Sequence, residues 1–471
     1  MQRRAFLEAL LAAGLHAAVP VTGKRARVAV IGAGLSGMVA ALELRGAGFE
    51  VTVLEASARP GGRVLTLREP FSDGLYAEAG AGRIPSTHDL TLKYVRLFNL
   101  PLAPFYPTSG SDVYLIRGKR SLVDAAHPLN MVEVGFALTP AERHAGLNKL
   151  EEMYMGDAQR ATGRVAAKDW PSAELLAKYG SVSMADFLHA KGASDDAIEY
   201  LVSGYQGEAA LDFLRDLASH QAPMLSKIVG GNDLLPRAFA ERLSNNIIYG
   251  AQVVRLEQTA DKTSVTFLRG GTMRQMEADY LICAVPFTVL RTMEVSPAFS
   301  ERKQNAIQTM TYGAVSRVYL QTRSKFWSKA GNSGFAVVDR PMEVWNPTWN
   351  QPGNRGLLMA YAYENLAREI GAQTPPERIS KMLEYFDLIH PGTKENFETG
   401  ASWVWDEQPF TRGAYCVYQP GELQTMLPAA IMPEKRILFA GEHCSSHPAW
   451  MQGALESGLR AARMVQQATV A

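Results

Sequence analysis

One short run, Val30-Ile31-Gly32-Ala33-Gly34-Leu35-Ser36-Gly37, constrains this chain more than any other stretch, because it fixes a strand, a turn and a helix together. An apolar strand closes into it, and Met38–Arg45 reads as the helix that leaves it. Gly32 permits a tight turn, Gly34 lets the backbone approach a pyrophosphate, and Gly37 lets helix and strand pack closely. The phosphates then lie on the helix N-terminus. Glu55, after the next strand Val51-Thr52-Val53-Leu54, accepts a hydrogen bond from a ribose hydroxyl. Three glycines alone are a weak signal. The preceding strand, the following helix and an acid about 20 residues on complete the dinucleotide-binding pattern.

Gly61-Gly62-Arg63 indicates which dinucleotide. A second glycine pair and an arginine after the ribose acid suit a long flavin dinucleotide, whose pyrophosphate charge an arginine offsets through two parallel bonds. Here the residues carry a likeness. Glu55-Ala56-Ser57-Ala58-Arg59-Pro60-Gly61-Gly62-Arg63 resembles the signature of the flavin amine oxidases, which include monoamine oxidases and L-amino-acid oxidases. Arg436-Ile437-Leu438-Phe439-Ala440-Gly441-Glu442 resembles that family's last strand, and Ala449 to Gly458 its final helix. The likeness implies that Glu442 holds the flavin ribityl chain and that Met451 lies in the helix running under the isoalloxazine. Ile228–Asn232 and Gly250–Val254 resemble the segments that return to the FAD domain, with Val253 meeting the adenine through its backbone.

At 471 residues the chain exceeds the usual size of one core, so two or three domains are expected. The class is α/β. A discontinuous Rossmann-like FAD-binding domain takes 24–64, 229–312 and 431–471. A mixed-sheet substrate domain takes 65–122 and 313–430, and a helical insertion takes 123–228. Arg27–Ile31, Val51–Glu55, Tyr280–Ala284 and Arg436–Ala440 are short apolar runs that suit a parallel sheet buried on both faces. Ala314–Thr322, Ser333–Asp339, Leu357–Tyr363 and Ala414–Tyr418 read as strands of the mixed sheet. Ser183 is an N-cap before Met184–Leu188 with Gly192 as the stop, and Thr139-Pro140 opens another helix.

A formal net charge of +1, with both signs interspersed, argues against a nucleic-acid partner. No run of 18 apolar residues predicts a transmembrane helix. Cys283, Cys416 and Cys444 lack metal-ligand spacing and read as buried thiols. Residues 1–23, with Arg3-Arg4 ahead of an apolar stretch, resemble a twin-arginine export peptide. Glu8 and the lack of a clean cleavage site leave the alternative of a docked N-terminal helix on a cytoplasmic protein.

The likeness assigns the chemistry residue by residue. Gly80-Ala81-Gly82-Arg83-Ile84-Pro85 resembles the L-amino-acid oxidase form of its segment, in which the arginine binds the substrate carboxylate. Tyr361 matches the tyrosine that bonds the same carboxylate, and Trp450, beside Ala449, the aromatic flanking the substrate amine. Tyr415 falls where some relatives have the cysteine that bonds the flavin. Cys416 is one place off, on the opposite face of a strand, so non-covalent FAD is expected. Arg317 stands where most relatives have a lysine holding water at flavin N5, and an arginine cannot give up its proton. It either orients water or pairs elsewhere. His220 reads as a satisfied structural histidine. No acid matches a pocket position, so no basic substrate side chain is indicated.

The expected activity is FAD-dependent oxidation of an L-amino acid by oxygen to keto acid, ammonia and hydrogen peroxide. Three rivals stay open: an oxidase of primary amines or polyamines, a decarboxylating monooxygenase, and a flavoprotein without turnover. Relatives are often oligomers.

Overall fold

In the computed structural model, which describes residues 26–129, 134–162 and 170–469, strand Arg27–Ile31 leads directly into helix Leu35–Gly46. The strand's last four residues are buried, as are eight of the helix's twelve, so this unit is packed on both sides. Five parallel strands form the sheet around it, in the order Ile247–Tyr249, Glu50–Glu55, Arg27–Ile31, Tyr280–Cys283, Ile437–Phe439. Parallel strands buried on both faces read as continuous apolar runs, which is why four of them stand out in the sequence. The fifth, Ile247–Tyr249, is three half-buried residues long and gives no such signal. The export-like residues 1–23 lie outside the described residues. Among the described residues no helix is long and apolar enough to cross a membrane.

A seven-stranded mixed sheet runs in the order Phe397–Val404, Val315–Thr322, Gly356–Tyr363, Met342–Trp345, Asn332–Val338, Ser111–Ile116, Lys119–Val123. Every residue of Val315–Thr322 and Gly356–Tyr363 is buried, because helices Glu364–Gly371 and Pro375–Ile389 cover the face away from the cavity described below. Tyr415–Val417 does not join this sheet, contrary to the sequence reading. It pairs instead with Thr311–Gly313 as a separate two-stranded ribbon. The reason lies in Gly413, whose φ of +139° turns the chain away just before it.

Between the sheets lies a block of helices, Pro140–Ala145, Leu147–Thr162, Ala173–Tyr179, Met184–Ala190, Asp195–Val202 and Ala210–His220. Side-chain caps start four of them. Thr139 and Glu142 form a reciprocal capping box, while Ser172, Ser183 and Ser194 each accept from the backbone three residues on. Such a cap contributes roughly 1 kcal/mol. The block returns to a three-stranded ribbon in which Leu225–Ile228 lies between Ile84–Pro85 and Leu102–Pro104. Arg83 therefore enters this ribbon one residue before its first paired position.

Candidate functional site

A cavity of about 770 Å³ runs between the parallel sheet, the mixed sheet and helix Ala210–His220. At the parallel sheet, Gly32 turns the chain with φ +100°, a conformation that strains any other residue. A side chain at Gly37 would bring its Cβ to 2.0 Å from the Gly32 carbonyl oxygen, so helix and strand meet only through glycine. Gly34 differs: a Cβ there would meet nothing within 4 Å. The space in front of it faces the first turn of helix Leu35–Gly46, whose leading N–H groups have no intrahelical acceptor. That is an anion cradle of the kind a pyrophosphate fills.

Glu55 is aimed by the loop itself. Its Oε2 accepts from Ala33 N at 2.7 Å, and its Oε1 from Ser57 N at 2.9 Å and Ser57 Oγ at 2.7 Å. Arg63 donates from Nη1 to Glu442 Oε1 at 2.6 Å and to the Ala414 carbonyl at 2.9 Å. Glu442 accepts in addition from Cys416 N at 3.3 Å and Ala449 N at 2.9 Å. Burial works against the Glu442 charge, but Arg63 foremost outweighs it and holds the carboxyl below the ordinary range. Gly82, Val253 and Met451 also line the cavity. Open space at Gly34, an oriented acid at Glu55 and a half-buried charge at Arg63 fit a flavin dinucleotide.

The mixed sheet supplies the other wall through strand register. Trp403, Arg317, Tyr361 and Glu343 lie directly opposite one another across four adjacent strands. Cross-strand partners share a face, so all four line the cavity. Arg317 is 4% exposed, donates from Nη1 to the Glu78 carbonyl at 2.6 Å and stacks 4.6 Å over the Tyr361 ring. It is no surface pair. Its Nε has no hydrogen-bond partner among the described residues. The Tyr361 hydroxyl lies 3.5 Å from that of Tyr415.

Arg83 stands beside this row, its guanidinium 4.9 Å over the Trp345 ring. It already has an acidic partner. Nη1 donates to Glu343 Oε2 at 3.0 Å and makes a longer bond of 3.4 Å to Oε1. The Trp345 indole N–H donates to the same Oε2 at 2.8 Å. Burial again opposes charge, yet Glu343 keeps Arg83 protonated above the ordinary arginine value, and Arg83 keeps Glu343 below that of a carboxylate.

Helix Ala210–His220 brings further acids that the sequence reading did not expect. Asp216 accepts from the Trp450 indole N–H at 2.6 Å and pairs with His220 at 3.2 Å. Trp450 is thereby fixed edge-on to His88, 4.9 Å away, and 5.1 Å from His220. His220 is thus partnered, and it stands on the cavity wall. Glu208, two residues ahead of the helix, is held well above the carboxylate range, first by burial and then by Asp212. Ala449, just before Trp450, has φ +68° and is the strained residue of this wall. Glu343 and Asp216 left no local mark beyond an acid within an apolar strand and an acid one helical turn before His220. Arg83, which pairs with Glu343, and Trp450, which donates to Asp216, are each more than 200 residues away from them.

A family model described as "Flavin containing amine oxidoreductase" matches residues 35–466. The "Putative L-amino-acid oxidase YobN" of Bacillus subtilis (strain 168) is 32% identical over 454 residues, covering 93% of this chain and 94% of the relative. The L-amino-acid oxidase of Vipera ammodytes ammodytes is 28% identical over 462 residues, covering 95% of this chain and 94% of that one. Among solved structures, putrescine oxidase bound to putrescine has a TM-score of 0.80 at 23% identity, covering 94% of this chain and 99% of its own. Cyclohexylamine oxidase from Brevibacterium oxydans IH-35A has a TM-score of 0.78 at 20% identity, covering 95% and 100%. The fold is shared with both.

Proposed function

The chain belongs to the flavin-containing amine oxidoreductases, and within that family we propose that it is an FAD-dependent L-amino-acid oxidase. The observation that carries this reading is Arg83: a buried guanidinium on the cavity wall, beside the Tyr361–Trp345 aromatic face. An aliphatic or aromatic amine has no use for a buried cation. An α-amino acid does, because its carboxylate cannot enter a water-poor site unpaired. The relatives named as L-amino-acid oxidases support it independently.

Arg83 and Tyr361 bind the carboxylate, while Trp450 and Tyr415 flank the amine. Desolvation between these rings lowers the ammonium pKa and favours the neutral amine that reacts. Asp216 fixes the Trp450 ring through its indole N–H, so the aromatic wall is set before substrate arrives. Arg317 orients water or developing negative charge through its planar fork of donors. When bound, FAD supplies hydride acceptance and reaction with oxygen. The products are the keto acid, ammonia and hydrogen peroxide. FAD is held non-covalently: Tyr415, not a cysteine, takes the matching place, and the Cys416 thiol is 2% exposed and pushed far up by burial. Acid precipitation then leaves the flavin in the supernatant. Arg3-Arg4 supports export through the twin-arginine route over a cytoplasmic protein with a docked N-terminal helix, and the mass of the mature N-terminus tests it.

One observation favours a second reading, an oxidase of amines or polyamines. Glu343 already neutralises Arg83, and a carboxylate among aromatic rings suits a distal ammonium. Peroxide release with L-amino acids and with the amines that lack their carboxylates separates the two. Product mass distinguishes keto acid from the amide of a decarboxylating monooxygenase. Turnover of amines alone overturns the proposal.

A further inference from the structure

We propose that Glu343 is a specificity-determining residue: a resident carboxylate that pairs with Arg83 on the cavity wall and competes there with the carboxylate of an arriving substrate. The inference rests on the reading of Arg83 given above.

The geometry has three parts. Glu343 meets Arg83 through Nη1 at 3.0 Å, within reach of charge-assisted bonding, but from a single nitrogen of a five-donor guanidinium. Among the described residues the other hydrogen bond to Glu343 comes from the Trp345 indole N–H at 2.8 Å, and His220 acts on it through charge alone. The Glu343 side chain is 36% exposed where that of Arg83 is 10% exposed, so the acid is the looser member of the pair. Arg83 lies between aromatic rings, 4.9 Å over that of Trp345 and 5.9 Å over that of Phe105, contacts that hold it in place if the carboxylate turns away. Strand register places Glu343 opposite Tyr361, so this acid shares the sheet face that also carries the second carboxylate-binding group.

Two consequences follow from charge alone. A substrate carboxylate arriving at Arg83 meets the negative Glu343, so binding costs either displacement of that acid or close approach of two carboxylates. An amino acid with a second carboxylate in its side chain adds a further negative charge beside Glu343 and the Asp216 wall, and is rejected. The class disfavoured is therefore L-amino acids with acidic side chains, and Glu343 sets the affinity for the others.

The test uses the flavin-loaded protein and benzoate, a carboxylate that cannot be oxidised, titrated by the perturbation of flavin absorbance and by calorimetry. Glu343→Gln keeps the shape and the bond from Trp345 while removing the charge. Benzoate should bind about five- to tenfold more tightly to it than to the unaltered protein. The KM for a neutral L-amino acid should fall in parallel, discrimination against L-glutamate should shrink, and benzylamine binding should not tighten. Glu343→Asp, whose carboxylate is drawn back by one methylene, should give a smaller gain in the same direction, and it serves if the glutamine variant does not fold. Unchanged or weaker benzoate binding in a folded variant overturns the inference. If Arg83→Ala abolishes benzoate binding but neither Glu343 variant alters it, the inference fails and the amino-acid oxidase reading stands. If the unaltered protein binds no benzoate and Arg83→Ala leaves amino-acid kinetics untouched, the reading itself fails.

Discussion

Arg63 and Arg83 stand on the wall of the same cavity, each paired with a glutamate, and the two pairs are built for different purposes. Glu442, the partner of Arg63, is 8% exposed and receives two backbone N–H groups besides the guanidinium. Glu343, the partner of Arg83, is 36% exposed and receives one indole N–H besides its arginine. A carboxylate held from three directions has no alternative place, so the Arg63 pair acts as a fixed clamp between the Gly61–Arg63 loop and the start of the last helix. A carboxylate held by one arginine and one indole can be replaced by another carboxylate. On the proposed reading, the same two residue types make a structural joint at the cofactor side and an exchangeable contact at the substrate side, and the number of extra hydrogen bonds decides which.

The largest effect that would break this contrast is at Arg83. Arg83→Ala should cost about 3–5 kcal/mol of transition-state stabilisation for an L-amino acid, roughly 10²–10⁴ in kcat/KM by peroxide assay. Oxidation of the matching amine should fall far less, and flavin absorbance should hold. Equal losses for both substrates would make the Arg83 pair a structural joint like the other one. Arg63→Ala should show the reverse pattern. It leaves Glu442 charged and buried, so a comparable loss of about 3–5 kcal/mol should appear as a lower Tm and reduced flavin content. Substrate selectivity should stay as it was; a selective loss of amino-acid oxidation there would erase the contrast.

A smaller effect is expected at Glu55, which Ala33 and Ser57 hold through three hydrogen bonds. Glu55→Ala should weaken FAD binding by about 1.5–3 kcal/mol, measured by flavin titration of the apoprotein, with the fold intact by circular dichroism. The smallest concerns acid. Because the folded carboxyl of Glu442 lies below its unfolded value of about 4.3, its contribution is complete above that pH and disappears as pH falls through the lower folded value. Glu442→Gln should therefore lower Tm at pH 7 and flatten its decline below about pH 4. A decline as steep as in the unaltered protein would assign the acid sensitivity to other carboxylates.

The cofactor side was legible because its contacts are short in sequence. Glu55 reaches Ala33 across 22 positions, and the glycines between act through turn geometry and close packing, which residue type alone dictates. The caps at Thr139 and Ser183 were legible for the same reason, each closing on a backbone N–H three residues away. Tyr415 was misassigned to the large sheet because an apolar alternating run does not name its partner strand. The substrate side was legible only in part. Arg83, Tyr361 and Trp450 came from family likeness, while Glu343, Asp216 and Glu208 came from nothing local.

By itself, then, the sequence determined the α/β class, the dinucleotide cradle and the helix starts, since each depends on φ/ψ preferences and hydrogen bonds inside a few dozen residues. Tertiary structure alone decided what each buried charge faces. Arg83 and Glu343 are 260 positions apart, and Asp216 and Trp450 are 234 apart. Strand register and helix placement bring them within 3 Å, and electrostatics at that range, not residue type, separates a clamp from a site that a substrate can enter.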